Sequence, residues 1–202
     1  MQRLQGQAMF PQKMSSGVTL TKGEKTRARL RTIAAAEFAD RGFHNTKVSD
    51  IVKASGLTQP AFYKYFESKE AAYDSLVEEF RHRLETLTNT LLISGQEELL
   101  GNVKAAMLSV LEFLASDPDL TEIGFFQPPG CKETKAGLAS WIASNVEKEQ
   151  VMGIFRSDIR AAQIGRCYVG MLDQIAREST TVEERNLAAH ECALLICEGI
   201  RG

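Results

Sequence analysis

The chain has 202 residues, 44% of them hydrophobic and 25% charged, enough apolar material for a real core in one or two domains. The first twenty-one residues hold no apolar run of signal-peptide length, and no later segment stays apolar and uncharged for the ~18 residues of a spanning helix, so a cytoplasmic, membrane-free protein is expected. The net charge of −2 conceals an asymmetry: residues 1–69 hold 12 Lys and Arg against 5 Asp and Glu, a balance of +7, whereas residues 70–202 hold 12 against 21, a balance of −9. That is the electrostatic footprint of a small module that meets a polyanion, joined to a larger one that does not.

Residues 1–20 are polar and aperiodic and read as a flexible extension. Thr21-x-x-Glu24 is a capping box opening a first helix, with Leu30, Ile33, Ala34 and Phe38 facing the core and Gly42 ending it. Lys22, Lys25, Arg27, Arg29 and Arg31 surround its start, and some of them are expected along a nucleic-acid backbone. Thr46 to Glu70 then packs two short helical patterns around Ser55-Gly56-Leu57. In the first, Val48, Ile51 and Val52 fall at i, i+3, i+4, with Thr46 as the expected N-cap. Gly56 supplies the turn and Leu57 fills the space between the helices. In the second, Thr58 is the expected cap, Pro60 sits in the first turn, and Phe62 contacts Phe66 on the inward side. Gln59, Ala61, Tyr63, Lys64 and Tyr65 are left facing outward, which is the pattern of a DNA-reading helix-turn-helix. Glutamine pairs with adenine, alanine touches a thymine methyl, and tyrosine and lysine bind phosphate oxygens.

The run from Thr58 to Glu70, Thr-Gln-Pro-Ala-Phe-Tyr-Lys-Tyr-Phe-Glu-Ser-Lys-Glu, resembles the recognition-helix signature of the TetR family of bacterial transcriptional regulators. The likeness extends back through Phe38, Gly42, Phe43, Thr46, Ile51, Ala54, Gly56 and Leu57 and covers residues 24 to 76. Where the family usually carries leucine, this chain has the larger Phe62. The resemblance implies DNA contacts at Thr46, Lys47, Gln59, Pro60, Ala61, Tyr63, Lys64, Tyr65 and Lys69. It also implies a homodimer formed through the two C-terminal helices.

Beyond Ser68 a long amphipathic helix carries Tyr73, Leu76, Val77, Phe80, Leu84, Leu87 and Leu91 at three- and four-residue steps. Ser94-x-x-Glu97 reads as the opening of the next helix, which Asp117-Pro118 closes. A short segment with Ile123, Phe125 and Phe126 leads into a Gln127-Pro-Pro-Gly130 loop, and Leu138, Trp141, Ile142, Asn145 and Val146 mark a helix ending at Gly153. Two more helices are expected, over 158–178 and, behind the box Thr181-x-x-Glu184, over 182–200. They are apolar on more than one side and contain Gly165, Gly170, Ala188 and Ala193, which permit close approach to a symmetry mate. With no strand-like alternation the fold class is all-α: an extension (1–20), a three-helix helix-turn-helix domain (21–67) and a larger helical effector-binding and dimerisation domain (68–202).

Catalytic and metal chemistry find no convergent residues. His44, His82 and His190 have no ligand spacing, and Cys131, Cys167, Cys192 and Cys197 form no CxxC pair and read as structural thiols. There is no phosphate loop or nucleophile elbow, so neither cofactor nor enzymatic activity is expected. The expected function is a regulator, most simply a repressor, that binds a near-palindromic double-stranded operator and is released by a small apolar or aromatic effector. Pocket candidates for that effector are Met107, Phe113, Phe125, Phe126, Trp141, Cys167 and Met171. The competing readings are a helical interaction protein whose helix-turn-helix touches only protein, and a helical enzyme with a basic substrate-binding end.

Overall fold

The computed structural model describes residues 21–91 and 98–199, and among these every regular element is helical. Helix α1 (Lys22–Arg41) opens on the expected box: Glu24 N–H donates to Thr21 Oγ1 at 3.3 Å and Thr21 N–H donates to Glu24 Oε2 at 2.7 Å. Those Thr21 donors hold the Glu24 carboxyl below its ordinary range. Helices α2 (Val48–Ser55) and α3 (Gln59–Tyr63) follow, turned against each other at Gly56, whose φ of 65° is the left-handed conformation that favours glycine. Leu30, Ala34 and Phe38 from α1, Ile51 from α2 and Phe62 from α3 are fully buried together, and this small core orients the second short helix.

Helix α4 (Lys69–Thr88) is capped by Ser68, whose Oγ accepts from Ala71 N–H at 3.0 Å. Its stripe of Tyr73, Leu76, Val77, Phe80 and Leu84 is buried, as the spacing requires. The expected Ser94-x-x-Glu97 cap lies outside the described residues, as do the N-terminal extension and Ile200. Helix α5 (Leu99–Ser116) ends where Asp117 turns into a cap for α6 (Pro118–Thr121), accepting from Leu120 N–H at 3.4 Å. The chain then makes a π-helical turn over Glu122–Phe126 and passes the cis Pro128–Pro129 peptide.

Helix α7 (Cys131–Val151) stops just before Gly153, and α8 (Ala161–Glu178) packs along it. Helix α8 starts later than the spacing predicts, at Ala161 rather than at Asp158. Arg160 holds its N-cap position, and Asp158 lies ahead of it with both carboxylate oxygens engaged by Arg156 at 2.6 Å. Helix α9 (Val182–Cys197) opens on the Thr181 and Glu184 box and packs along α5. By length and composition α5 is apolar enough to cross a membrane, but it carries Lys104 and Glu112. It also buries Val103, Met107, Val110, Leu111 and Leu114 inside the bundle, as a core helix does.

Of the small residues expected at a symmetric interface, Gly165 instead serves the fold. A Cβ placed there would stand 2.4 Å from the Ala139 carbonyl oxygen, so α7 and α8 touch backbone to backbone. Ala193 is also buried, while Gly170 is exposed and Ala188 half-buried.

Several contacts clamp the first three helices to the rest. The Tyr73 hydroxyl donates to Ile123 O and accepts from Gly130 N–H, both at 3.2 Å, while its ring stacks on Phe38 and Phe43 with centroids 5.2 and 4.7 Å away. Burial pushes the Tyr73 hydroxyl above its ordinary pKa, partly offset by the Gly130 N–H. Gln127 Nε2 donates to Ala39 O at 2.9 Å, and Arg31 pairs with Glu79.

Candidate nucleic-acid interface

Helix α3 is only five residues long, and it divides cleanly between inside and outside. Phe62 is fully buried and Phe66, 5.6 Å from it between centroids, is 5% exposed, whereas Gln59, Pro60, Tyr63 and Lys64 are exposed and Ala61 and Tyr65 half-buried. Backbone bonds set this register: Ala61 N–H and Phe62 N–H both donate to Thr58 O, at 2.9 and 3.1 Å. After Tyr63 the chain continues as a turn in which Phe66 N–H donates to Phe62 O at 3.0 Å, and this keeps the second ring beneath the first. The result is a polar, aromatic ridge resting on two phenylalanines.

Around the ridge Lys22, Lys25, Arg27, Lys47 and Lys53 are exposed. Other cations of the same region are engaged within the protein. Arg29 Nη2 donates to Ser55 O at 3.2 Å and so fixes the end of α2 to α1. Arg31 is half-buried against Glu79, and burial followed by repulsion from Arg27 lowers its guanidinium pKa. Lys69 Nζ donates to Phe43 O at 2.9 Å and lies 4.3 Å above the Phe43 ring, leaving its remaining N–H bonds free.

One expected cap is corrected, and a second holds its position without a side-chain bond. Thr46 is not the N-cap of α2 and does not present its hydroxyl to a phosphate: it is 1% exposed, and its single Oγ1–H is shared between Glu37 O at 3.0 Å and Gly42 O at 2.9 Å. Lys47 holds the cap position, where its N–H donates to Asp50 Oδ2 at 2.9 Å. Thr58 caps α3 by backbone only, with no bond from its hydroxyl.

The pocket candidates do not converge. Met107 and Phe125 are fully buried core residues, and Phe113 packs on Phe80 at 5.2 Å. Phe126 lies under the Arg177 guanidinium at 4.1 Å. Met171 is half-buried, and Cys167 is exposed on α8, where its Sγ accepts from Gln163 Nε2 at 3.4 Å. Cys167 therefore departs from the expected buried thiols; Cys192 is buried, with its thiol pKa raised by desolvation. Of the seven candidates Trp141 lines an open space, a cavity of about 280 Å³ between α4 and α7. Its other walls include Arg81, Leu84, Glu85 and Leu138; Leu84 and Leu138 were legible as apolar helix-face residues, but their meeting at a cavity was not, because they come from helices some fifty residues apart.

A helix-turn-helix with an outward ridge, on a larger helical body, defines a DNA-binding transcriptional regulator. The family model described as bacterial regulatory proteins, tetR family, matches residues 31–76. The chain is 41% identical over 182 residues to the uncharacterized HTH-type transcriptional regulator YdgC of Bacillus subtilis (strain 168), covering 87% of this chain and 93% of that protein. Its fold is similar to that of the TetR family transcriptional regulator PfmR from Thermus thermophilus, with a TM-score of 0.71 at 22% identity over 92% of this chain and 100% of that one. It is also similar to the transcriptional regulator FadR from Bacillus subtilis in complex with stearoyl-CoA, with a TM-score of 0.67 at 16% identity over 86% and 99%. The chain belongs to the TetR family.

Proposed function

We propose that this regulator is a cytoplasmic repressor that binds a near-palindromic operator as a homodimer and is released by a small effector. Residues 21–67 form the DNA-binding unit in this reading, and the helices from 68 onward bind the effector and dimerise. The observation that carries it is the division of α3, whose polar ridge of Gln59, Pro60, Tyr63 and Lys64 stands exposed on buried Phe62 and Phe66. Gln59, Ala61 and Lys47 read bases. Tyr63, Lys64, Tyr65 and the remaining donors of Lys69 hold phosphates, with Pro60 at the leading turn. Two-fold symmetry sets half-sites about one helical turn apart.

Selection of bound fragments from random DNA, followed by gel shifts, tests the reading. Gln59→Ala is expected to cost about 1–3 kcal/mol on the selected site and to relax its sequence preference, whereas Lys64→Ala weakens all sequences alike and flattens the salt slope by about one charge. Recovery of no preferred sequence would leave the helix-turn-helix as a protein-binding element.

The exposed side of the last two helices supports the dimer. Leu187 is 59% and Leu195 47% exposed on α9, and Gly170 is exposed on α8. Apolar side chains in that number on one face favour a symmetric partner. Sedimentation at micromolar concentration is expected to give twice the 22.3 kDa chain mass; a species at the single-chain mass throughout rules the dimer out.

A further inference from the structure

We propose that the cavity between α4 and α7 is a site for a small aromatic monocation, such as an arylalkylammonium, which deepens the effector reading above and rests on it. At about 280 Å³ the space is slightly below the range of drug-sized sites, which suits a ligand of one ring or two fused rings. Leu84 and Leu138 supply apolar walls, and the Trp141 indole supplies the side chain whose face attracts cations best.

The charges decide the sign of the ligand. Arg81 is the cavity's one cation among the described lining residues, and three of its five N–H donors are committed: to Glu133 Oε2 at 2.8 Å, Gly130 O at 3.1 Å and Thr134 Oγ1 at 3.1 Å. Glu78 lies a further 3.9 Å from its Nη1. Glu85, on the same rim, forms no ion pair with any described residue. The lining therefore holds one guanidinium against two carboxylates, with the charge of Glu85 uncompensated. An anion entering here meets two like charges and a guanidinium whose charge is already shared between Glu133 and Glu78; a cation meets an unpaired carboxylate and an indole. The balance of −9 over residues 70–202 draws cations toward the same region.

The cavity also touches the clamp on the DNA-binding helices. Arg81 holds Gly130 O, and Gly130 N–H donates to the Tyr73 hydroxyl, whose ring rests on Phe38 and Phe43. A bound cation competes with Arg81 for Glu133, and the freed guanidinium alters the support of that loop.

Trp141 is the chain's single tryptophan, so its emission reports the site directly. The full chain is titrated with benzyltrimethylammonium, and separately with benzyl alcohol and 3-phenylpropionate at matched ionic strength, with calorimetry as a second readout. Saturable binding of the cation is expected, with the neutral and anionic probes weaker by about tenfold or more. Glu85→Gln, an exposed position, is expected to weaken the cation by about tenfold while leaving the thermal melt unchanged. Equal or tighter binding of 3-phenylpropionate, undiminished cation binding in Glu85→Gln, or no saturable signal in either readout overturns the site. Operator affinity is measured separately with the cation bound. If the cation binds and DNA is not released, the site stands and effector release through it falls; if the chain binds no DNA, the proposed function falls and the titration still judges the site.

Discussion

Operator affinity is expected to fall by about 10³- to 10⁵-fold as salt rises from roughly 50 to 200 mM, provided the dimer engages about 6–10 phosphates. The structure gives that number of contacts a physical source. Lys22, Lys25, Arg27, Lys47 and Lys64 are exposed near the ridge, whereas Arg29 and Arg31 are engaged by Ser55 O and Glu79 and add little to the slope. Each neutralised phosphate releases condensed counterions, and the exposed cations of two protomers reach the upper end of the range. Fluorescence anisotropy across a salt series checks it. An affinity that barely responds to salt is incompatible with binding through this face.

Phe62→Ala is expected to remove about 3–5 kcal/mol of stability and to abolish operator binding. Phe62 is fully buried, stacks edge-on to Tyr63 at 5.4 Å and rests against Phe66 at 5.6 Å, so its loss leaves a cavity directly beneath the ridge. A five-residue helix has few internal hydrogen bonds, so the register set by the backbone bonds to Thr58 O depends on this side chain packing beneath it. Phe62→Leu restores the residue that the family usually carries and is expected to cost less than about 1.5 kcal/mol, with binding retained. Urea unfolding alongside gel shifts separates the two variants. Full-strength DNA binding by Phe62→Ala would show that the ridge is positioned by something other than this contact.

The elements most legible in the sequence were those set by neighbours a few residues apart. The capping boxes at Thr21 and Thr181, the left-handed turn at Gly56 and the inward pair Phe62 and Phe66 are all local geometry, and each is found where the spacing placed it. Thr46 misled because its hydroxyl answers to Glu37 O, nine residues back across the Gly42 turn. Lys69 likewise meets Phe43 across 26 residues, a pairing that no helical period announces. The pocket candidates were chosen by side-chain type, which identifies apolar residues but not which of two packed helices they face. Met107 and Phe125 went to the core, Cys167 to the surface, and the cavity formed where α4 and α7 diverge around Trp141.

The bare backbone meeting at Gly165 has a mechanical result. Ala139 sits on the same helix as the cavity-lining Trp141, so the wall that a ligand would push on is keyed to the helix that carries Gly170 outward. A shove delivered at the indole is therefore expected to tilt the two helices together, toward the proposed seam between subunits.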